Sequence, residues 1–186
     1  MDMFKKNKIL VYIVITMFSF FNKSVASYDK LFFDLNIKNN NGEELNLSQY
    51  KDKTILLVNV ASRCGFTKQY EDLQLLYKKF QNKGLVVIAV PSNQFGQQEP
   101  GTNEEIKEFC ETNFGITFPI TTKVDVKGNN AHEIYVWAKK NFGNSSIPKW
   151  NFHKILINKQ GKISDTYGSF TNPMSKKIVK RIEEII

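Results

Sequence analysis

Residues 54–61, TILLVNVA, form a continuous apolar run of strand length, the pattern of a central strand covered on both faces. Leu73, Leu76, Tyr77 and Phe80 then recur at i, i+3, i+4 and i+7, and Gly84 follows as a C-terminal stop. A second buried run occupies residues 85–90. Strand, helix, strand in this order predicts two parallel strands joined by a right-handed crossover.

Working outward toward the C-terminus, Thr102 and Glu105 make a capping box ahead of Ile106, Phe109 and Cys110, which share one helical face. Residues 118–126 read as a strand with Pro119 near its start, and residues 131–141 as a helix. Residues 152–157 and 162–167 form a hairpin around Asn158-Lys159-Gln160-Gly161, and Pro173 helps open a final helix that runs to Ile186. Toward the N-terminus, Phe33, Leu35 and Ile37 alternate with Asp34, Asn36 and Lys38. A turn at residues 39–42 follows, and Leu45 and Leu47 resume, which predicts an N-terminal β-hairpin. The whole is an α/β chain: a βαβ first half and a ββα second half give a thioredoxin-like fold, with a central mixed β-sheet flanked by helices.

At 186 residues the chain is the size of one domain with a substantial core. Its 41% hydrophobic and 24% charged residues exclude disordered, collagen-like and low-complexity classes. The formal charge of +8 has to be read without the N-terminus. Residues 1–26 carry Lys5, Lys6 and Lys8, then the 13-residue apolar run ILVYIVITMFSFF, then Ser24-Val25-Ala26: the three parts of a secretory signal peptide. That run is shorter than the roughly 20 residues of a membrane span. The expectation is a signal peptide at 1–26, an exported (periplasmic or secretory-pathway) domain at 27–186, and the membrane touched only if an uncleaved segment anchors the chain. The mature part keeps 22 Lys and Arg against 17 Asp and Glu, spread singly with no basic block. That is a solvated surface and not a nucleic-acid partner.

Cys64 and Cys110 are the two cysteines, too few for a disulfide scaffold of this length. One structural bridge, two buried thiols or a working redox pair all remain open on composition. With His132 and His153 the only histidines, no zinc spacing and no cofactor motif is found. Cys64 follows the first buried strand in Ser62-Arg63-Cys64-Gly65-Phe66-Thr67, where the chain turns into the next helix. A thiol there is expected to meet helix N-terminal N–H groups beside Arg63, a setting that favours thiolate. Thr67 stands where a C-x-x-C motif needs its second cysteine and Lys68 where a C-x-x-x-C motif does, which disfavours a disulfide exchanger or copper carrier.

From about Leu31 to the C-terminus the chain resembles a cysteine-containing glutathione peroxidase. Three stretches carry the likeness: NVASRCGFT at 59–67, PSNQFGQQEPG at 91–101 and Trp150-Asn151-Phe152. The resemblance implies a catalytic tetrad of Cys64, Gln98, Trp150 and Asn151, with Asn93 in support and no cofactor. It also implies reduction of hydrogen peroxide and of organic or lipid hydroperoxides. The residue types suit that chemistry, because an attacking thiolate expels hydroxide or alkoxide and the Gln, Trp and Asn side chains are neutral donors for the leaving oxygen. Thioredoxin-using relatives carry a resolving cysteine in the region of Cys110, which implies a Cys64–Cys110 disulfide reduced by a thioredoxin-like protein, with glutathione as the other candidate reductant. Residues between the helix near Asn141 and Trp150 are few where tetrameric glutathione-using relatives insert a long loop, which implies a monomer or weak dimer. His153 reads as a strand residue, not a base. Two rival readings are a peroxide sensor or thiol oxidase that passes oxidation to a partner protein, and a thioredoxin-like binding domain with inert thiols.

N-terminal sequencing of protein recovered from its native compartment should begin at or near Ser27. Retention of Met1 would eliminate cleavage and leave the membrane anchor.

Overall fold

The computed structural model describes residues 28–186; the expected leader, residues 1–26, lies outside the described residues. Every residue of β1 (Thr54–Val60) is buried, because the strand has a neighbour on each edge and a layer on each face. It runs parallel to β2 (Leu85–Pro91), Thr54 opposite Leu85 and Val60 opposite Pro91, after the connecting helix α1 (Gln69–Phe80). On its other edge β1 pairs antiparallel with β3 (Lys154–Ile157), which pairs antiparallel with β4 (Ile163–Tyr167). Helices α2 (Asn103–Phe114) and α3 (Glu133–Phe142) lie between β2 and β3, and α4 (Lys176–Ile185) ends the chain. The order β2-β1-β3-β4, mixed in direction and flanked by helices, is the thioredoxin-like arrangement.

Side chains alternate across a strand, so β1 divides its apolar run between two cores. Leu56, Val58 and Val60 join Leu73, Leu76 and Phe80 of α1, Ile106 and Cys110 of α2, and Ile178 and Ile182 of α4. Ile55 and Leu57 face the other way, into Ile88, Val90, Ile134, Trp137, Phe32 and Leu35. After α1 a short 3-10 turn ends at Gly84, whose φ of 102° lies in the left-handed region that favours glycine. One charge lies inside the first layer. Lys154 of β3 is fully buried, and its ammonium reaches Gln69 Oε1 at 2.5 Å and the Thr171 carbonyl at 2.7 Å. Burial pulls its pKa down to about 7.

Two expected elements take a different form. Phe32–Asp34 is a 3-10 turn, and the reversal at 39–42 closes on a single Lys38–Glu44 bridge in place of a hairpin ladder. Asn39 draws the turn inward on itself: its Oδ1 accepts from the N–H groups of Asn41 and Glu43, so local Asx bonding displaces strand pairing. The strand expected over 118–126 is an extended edge with isolated bridges, Ala89 to Ile120 and Asn39 to Thr121. Pro119 has no N–H for a ladder and contributes only its carbonyl, to Ala89 N–H at 2.9 Å.

Thr102 caps α2 as expected: its side chain accepts from Glu105 N–H while the Glu105 carboxylate takes the Thr102 N–H. Thr102→Ala should lower stability to urea by about 1 kcal/mol, the usual loss on removing such a cap. An unchanged midpoint would mean that packing alone holds the start of α2.

Candidate active site

β1 and β2 are parallel and end together at Val60 and Pro91, and β3 runs against them, so the residues leading into β3 lie at the same end of the sheet. Three loops therefore meet there: residues 61–68 after β1, 92–102 after β2 and 147–153 before β3. The carboxyl end of parallel strands is where α/β sheets leave such a crevice.

The first loop carries Cys64, 9% exposed. Thr67 holds it in shape, its hydroxyl accepting from Cys64 N–H at 3.0 Å and donating to the Ala61 carbonyl at 2.9 Å. The position that lacks the second cysteine of a C-x-x-C pair thus works as a fastener. Phe66 N–H points at Cys64 Sγ at 3.4 Å. The α-helix itself begins only at Gln69, so the expected helix N-terminus beside the thiol is replaced by a run of tight turns. The bonds from Thr67 N–H to the Cys64 carbonyl and from Gln69 N–H to the Phe66 carbonyl make those turns.

The second loop carries Gln98. Gly96 and Gln97 both adopt positive φ, 64° and 53°, which reverses the chain. Arg63 N–H donates to the Gln98 carbonyl at 3.0 Å and ties this loop to the one that bears Cys64. Asn93 bonds this loop, its Oδ1 accepting from Glu99 N–H at 2.9 Å. Glu99 is itself buried, and burial holds its carboxyl above the usual range against the nearby Ser62 and the charge of Lys123.

The third loop carries Trp150 and Asn151. Asn151 is fully buried and donates through Nδ2 to Gln98 Oε1 at 2.9 Å. That bond turns the acceptor end of Gln98 inward and leaves its Nε2 donors without a protein partner among the described residues. Trp150 is 39% exposed, too open for a core aromatic, and leans on Phe95 with ring centroids 5.8 Å apart. Its Cη2 and Gln98 Cγ lie at the same 3.6 Å from where a Cβ on Gly96 would stand. The structure thus brings Gln98, Trp150 and Asn151 together and joins Cys64 to them through Arg63.

Cys110 sits elsewhere, fully buried on the inner face of α2 in the same apolar cluster as Cys64, and both thiols are free. Burial pushes its thiol up to about 12, the charges of Glu99 and Glu111 adding to the effect. His153 is buried and held down at about 4 by burial, then by Lys154 and Lys149, so it is neutral and a poor base near pH 7. It lies one residue before β3, in the third loop, and not in the strand where the sequence reading put it.

Sequence reasoning passed over Asn59, which is buried within β1 and holds the third loop: its Nδ2 donates to the Trp150 carbonyl at 3.2 Å and its Oδ1 accepts from His153 N–H at 3.1 Å. The signal was available. An amide inside a run covered on both faces has to find partners within the protein. The buried Glu99 left no comparable signal, since its setting comes from segments that meet only in three dimensions.

A family model described as glutathione peroxidase matches residues 32–139. Over 148 residues the chain is 49% identical to glutathione peroxidase-like peroxiredoxin 2 of Saccharomyces cerevisiae, covering 77% of this chain and 91% of that one. A hydroperoxy fatty acid reductase of Synechocystis is 44% identical over 153 residues, 78% of this chain and 89% of that protein. The crystal structure of a T. cruzi glutathione peroxidase superposes with a TM-score of 0.65 at 32% identity, over 84% of this chain and 96% of that one.

Because Cys110 lies inside the core as a protonated thiol, it should resist iodoacetamide in the folded protein at neutral pH and label once urea is added. Similar labelling rates in both states, read by peptide mass, would contradict its burial.

Proposed function

The chain belongs to the glutathione peroxidase family and is a thiol peroxidase that reduces hydroperoxides, and from that premise we propose that Cys64 is the residue oxidised, with Gln98, Trp150 and Asn151 as donors to the departing oxygen. The Asn151–Gln98 hydrogen bond is the observation that carries this reading. It preorders two neutral amides so that Gln98 keeps both of its N–H groups and Asn151 one for a ligand, and fixed donors stabilise developing negative charge without reorganising.

The Cys64 thiolate attacks one peroxide oxygen. The O–O bond breaks, sulfur is oxidised to sulfenic acid, and the other oxygen leaves as hydroxide or alkoxide and takes up a proton to become water or alcohol. The Cys110 thiol then condenses with the sulfenic acid, forming the S–S bond as water departs. A thioredoxin-like dithiol reduces the disulfide by exchange. Bridging demands Cα atoms within about 7 Å, so α2 opens locally to deliver Cys110. A cavity of about 310 Å³ between Ser62-Arg63 and Ile106 and Phe109 of α2 supports that movement.

A second hollow of about 380 Å³, lined by Ile147, Trp150, His153 and Phe170, adjoins the indole and offers apolar surface to the organic part of a lipid hydroperoxide. The short connection from α3 to Trp150, taken up by the 3-10 turn Gly143–Ser146, supports a monomer or weak dimer and a protein dithiol over glutathione. Export with cleavage after Ala26 completes the proposal and rests on the pattern of residues 1–26.

Cys64→Ser should abolish peroxide consumption, and Gln98→Ala should slow single-turnover oxidation of Cys64 by roughly 10². Cys110→Ser should keep the first oxidation, lose thioredoxin-driven turnover and accumulate sulfinic and sulfonic acid on Cys64. Wild-type turnover with thioredoxin in Cys110→Ser would make that thiol helix packing and move resolution to an external thiol. Wild-type oxidation in Gln98→Ala would remove the donor assignment.

A further inference from the structure

Lys123 lies in the extended segment after Pro119 and belongs to none of the three loops. Its ammonium has three N–H donors and no acceptor. All three are matched to consecutive carbonyls, those of Glu99 at 3.2 Å, Pro100 at 3.4 Å and Gly101 at 2.6 Å. Three successive peptide carbonyls turned toward one point repel each other through their dipoles, and that backbone conformation needs a cation at its focus. The lysine is itself anchored at its base: its N–H donates to Asn103 Oδ1 at 3.0 Å, and Val124 N–H donates to the Pro91 carbonyl at 3.0 Å. The Lys123 side chain thus holds the loop that follows Gln98, while its own N–H and that of Val124 tie the segment to the first residue of α2 and the end of β2.

We infer that Lys123 is a positioning residue for peroxide reduction: it gathers the carbonyls of residues 99–101 and so fixes Gln98 at the angle from which its amide serves Cys64. This rests on the donor role proposed for Gln98. The loop is constrained on both sides of that residue. On the N-terminal side the positive-φ pair Gly96-Gln97 sets the chain direction. On the C-terminal side Glu99 N–H is held by Asn93, and the three carbonyls are held by Lys123. Removing the ammonium leaves the carbonyls converged without a counter-charge. The loop then relaxes, and Gln98, with its carbonyl on Arg63 N–H and its amide on Asn151, is drawn off its place. Misplacement by about 1 Å is enough to cost an enzyme up to about 10²-fold. Glu99 also gains from the clamp, since the Lys123 charge opposes the rise that burial imposes on its carboxyl.

The test is a double-mutant cycle on single-turnover oxidation of Cys64 by hydrogen peroxide in the full chain. Lys123→Met keeps the length of the side chain and removes its charge; it should slow oxidation by about tenfold. In the Gln98→Ala background the same change should have no further effect, because the group it positions is gone, whereas a general loss of scaffold would slow both backgrounds equally. If Lys123→Met does not fold, Lys123→Gln runs the same cycle. A wild-type rate in the Lys123 variant, or the same slowing with and without Gln98, overturns the inference while leaving the donor assignment standing. A wild-type rate in Gln98→Ala alone overturns the donor assignment and the inference together.

Discussion

An amide buried at the end of the central strand has to satisfy both of its ends inside the protein. An unpaired buried donor or acceptor costs about 1–3 kcal/mol, and Asn59 avoids that by taking the Trp150 carbonyl with its nitrogen and the His153 N–H with its oxygen. Its backbone also holds the segment, accepting from Phe152 N–H. The chain before β3 is therefore bound to β1 ahead of the first regular ladder pair, Val58 with Lys154. From Asn59 the connections run outward through Asn151 to Gln98, through the Gln98 carbonyl to Arg63, and so to Cys64. Phe152 accepts a left-handed φ of 62° in this segment, a strained value for a residue of its size, held by full burial against Tyr70.

The two thiols are separated by environment as well as by position. Cys64 sits in a turn with an N–H aimed at its sulfur, within reach of the loops that hold the neutral amides. Cys110 is enclosed by the apolar layer under α2, its thiol kept protonated by burial. An order of events follows from this difference. In the cycle we propose, the first thiol meets peroxide in the folded protein, and the second becomes reactive only when α2 opens. A thiol held too basic to ionise is also protected from oxidants until it is needed.

Much of this was legible along the chain. The run at 54–61, the i, i+3, i+4, i+7 pattern after it, the Thr102–Glu105 box and the hairpin into β4 are local patterns, and local hydrogen bonding and periodicity reproduce them in the structure. The expectations that shifted are those in which a local rule met a competitor. Asn39 bonded its own turn in place of a strand partner. Pro119 kept its segment to isolated bridges along the edge of β2. The helix after Cys64 waited until Gln69 because Thr67 fastens the loop first.

Residue types and their spacing alone identified the strand–helix–strand core and placed Cys64 just after its first strand, because each of these is written within a few consecutive residues; Gln98, Trp150 and Asn151 came only from the likeness of three motifs to a known family. How 59–67, 91–101 and 150–152 come to share one end of a sheet was decided by strand direction, with β1 and β2 ending together and β3 beginning where they end. The same holds for Lys154 buried against Gln69 and for Lys123 at the focus of three carbonyls. A cation taken wholly or partly out of water is stable only where distant parts of the chain supply its acceptors, and only the packed chain brings the Gln69 side chain and these carbonyls to the two ammonium groups.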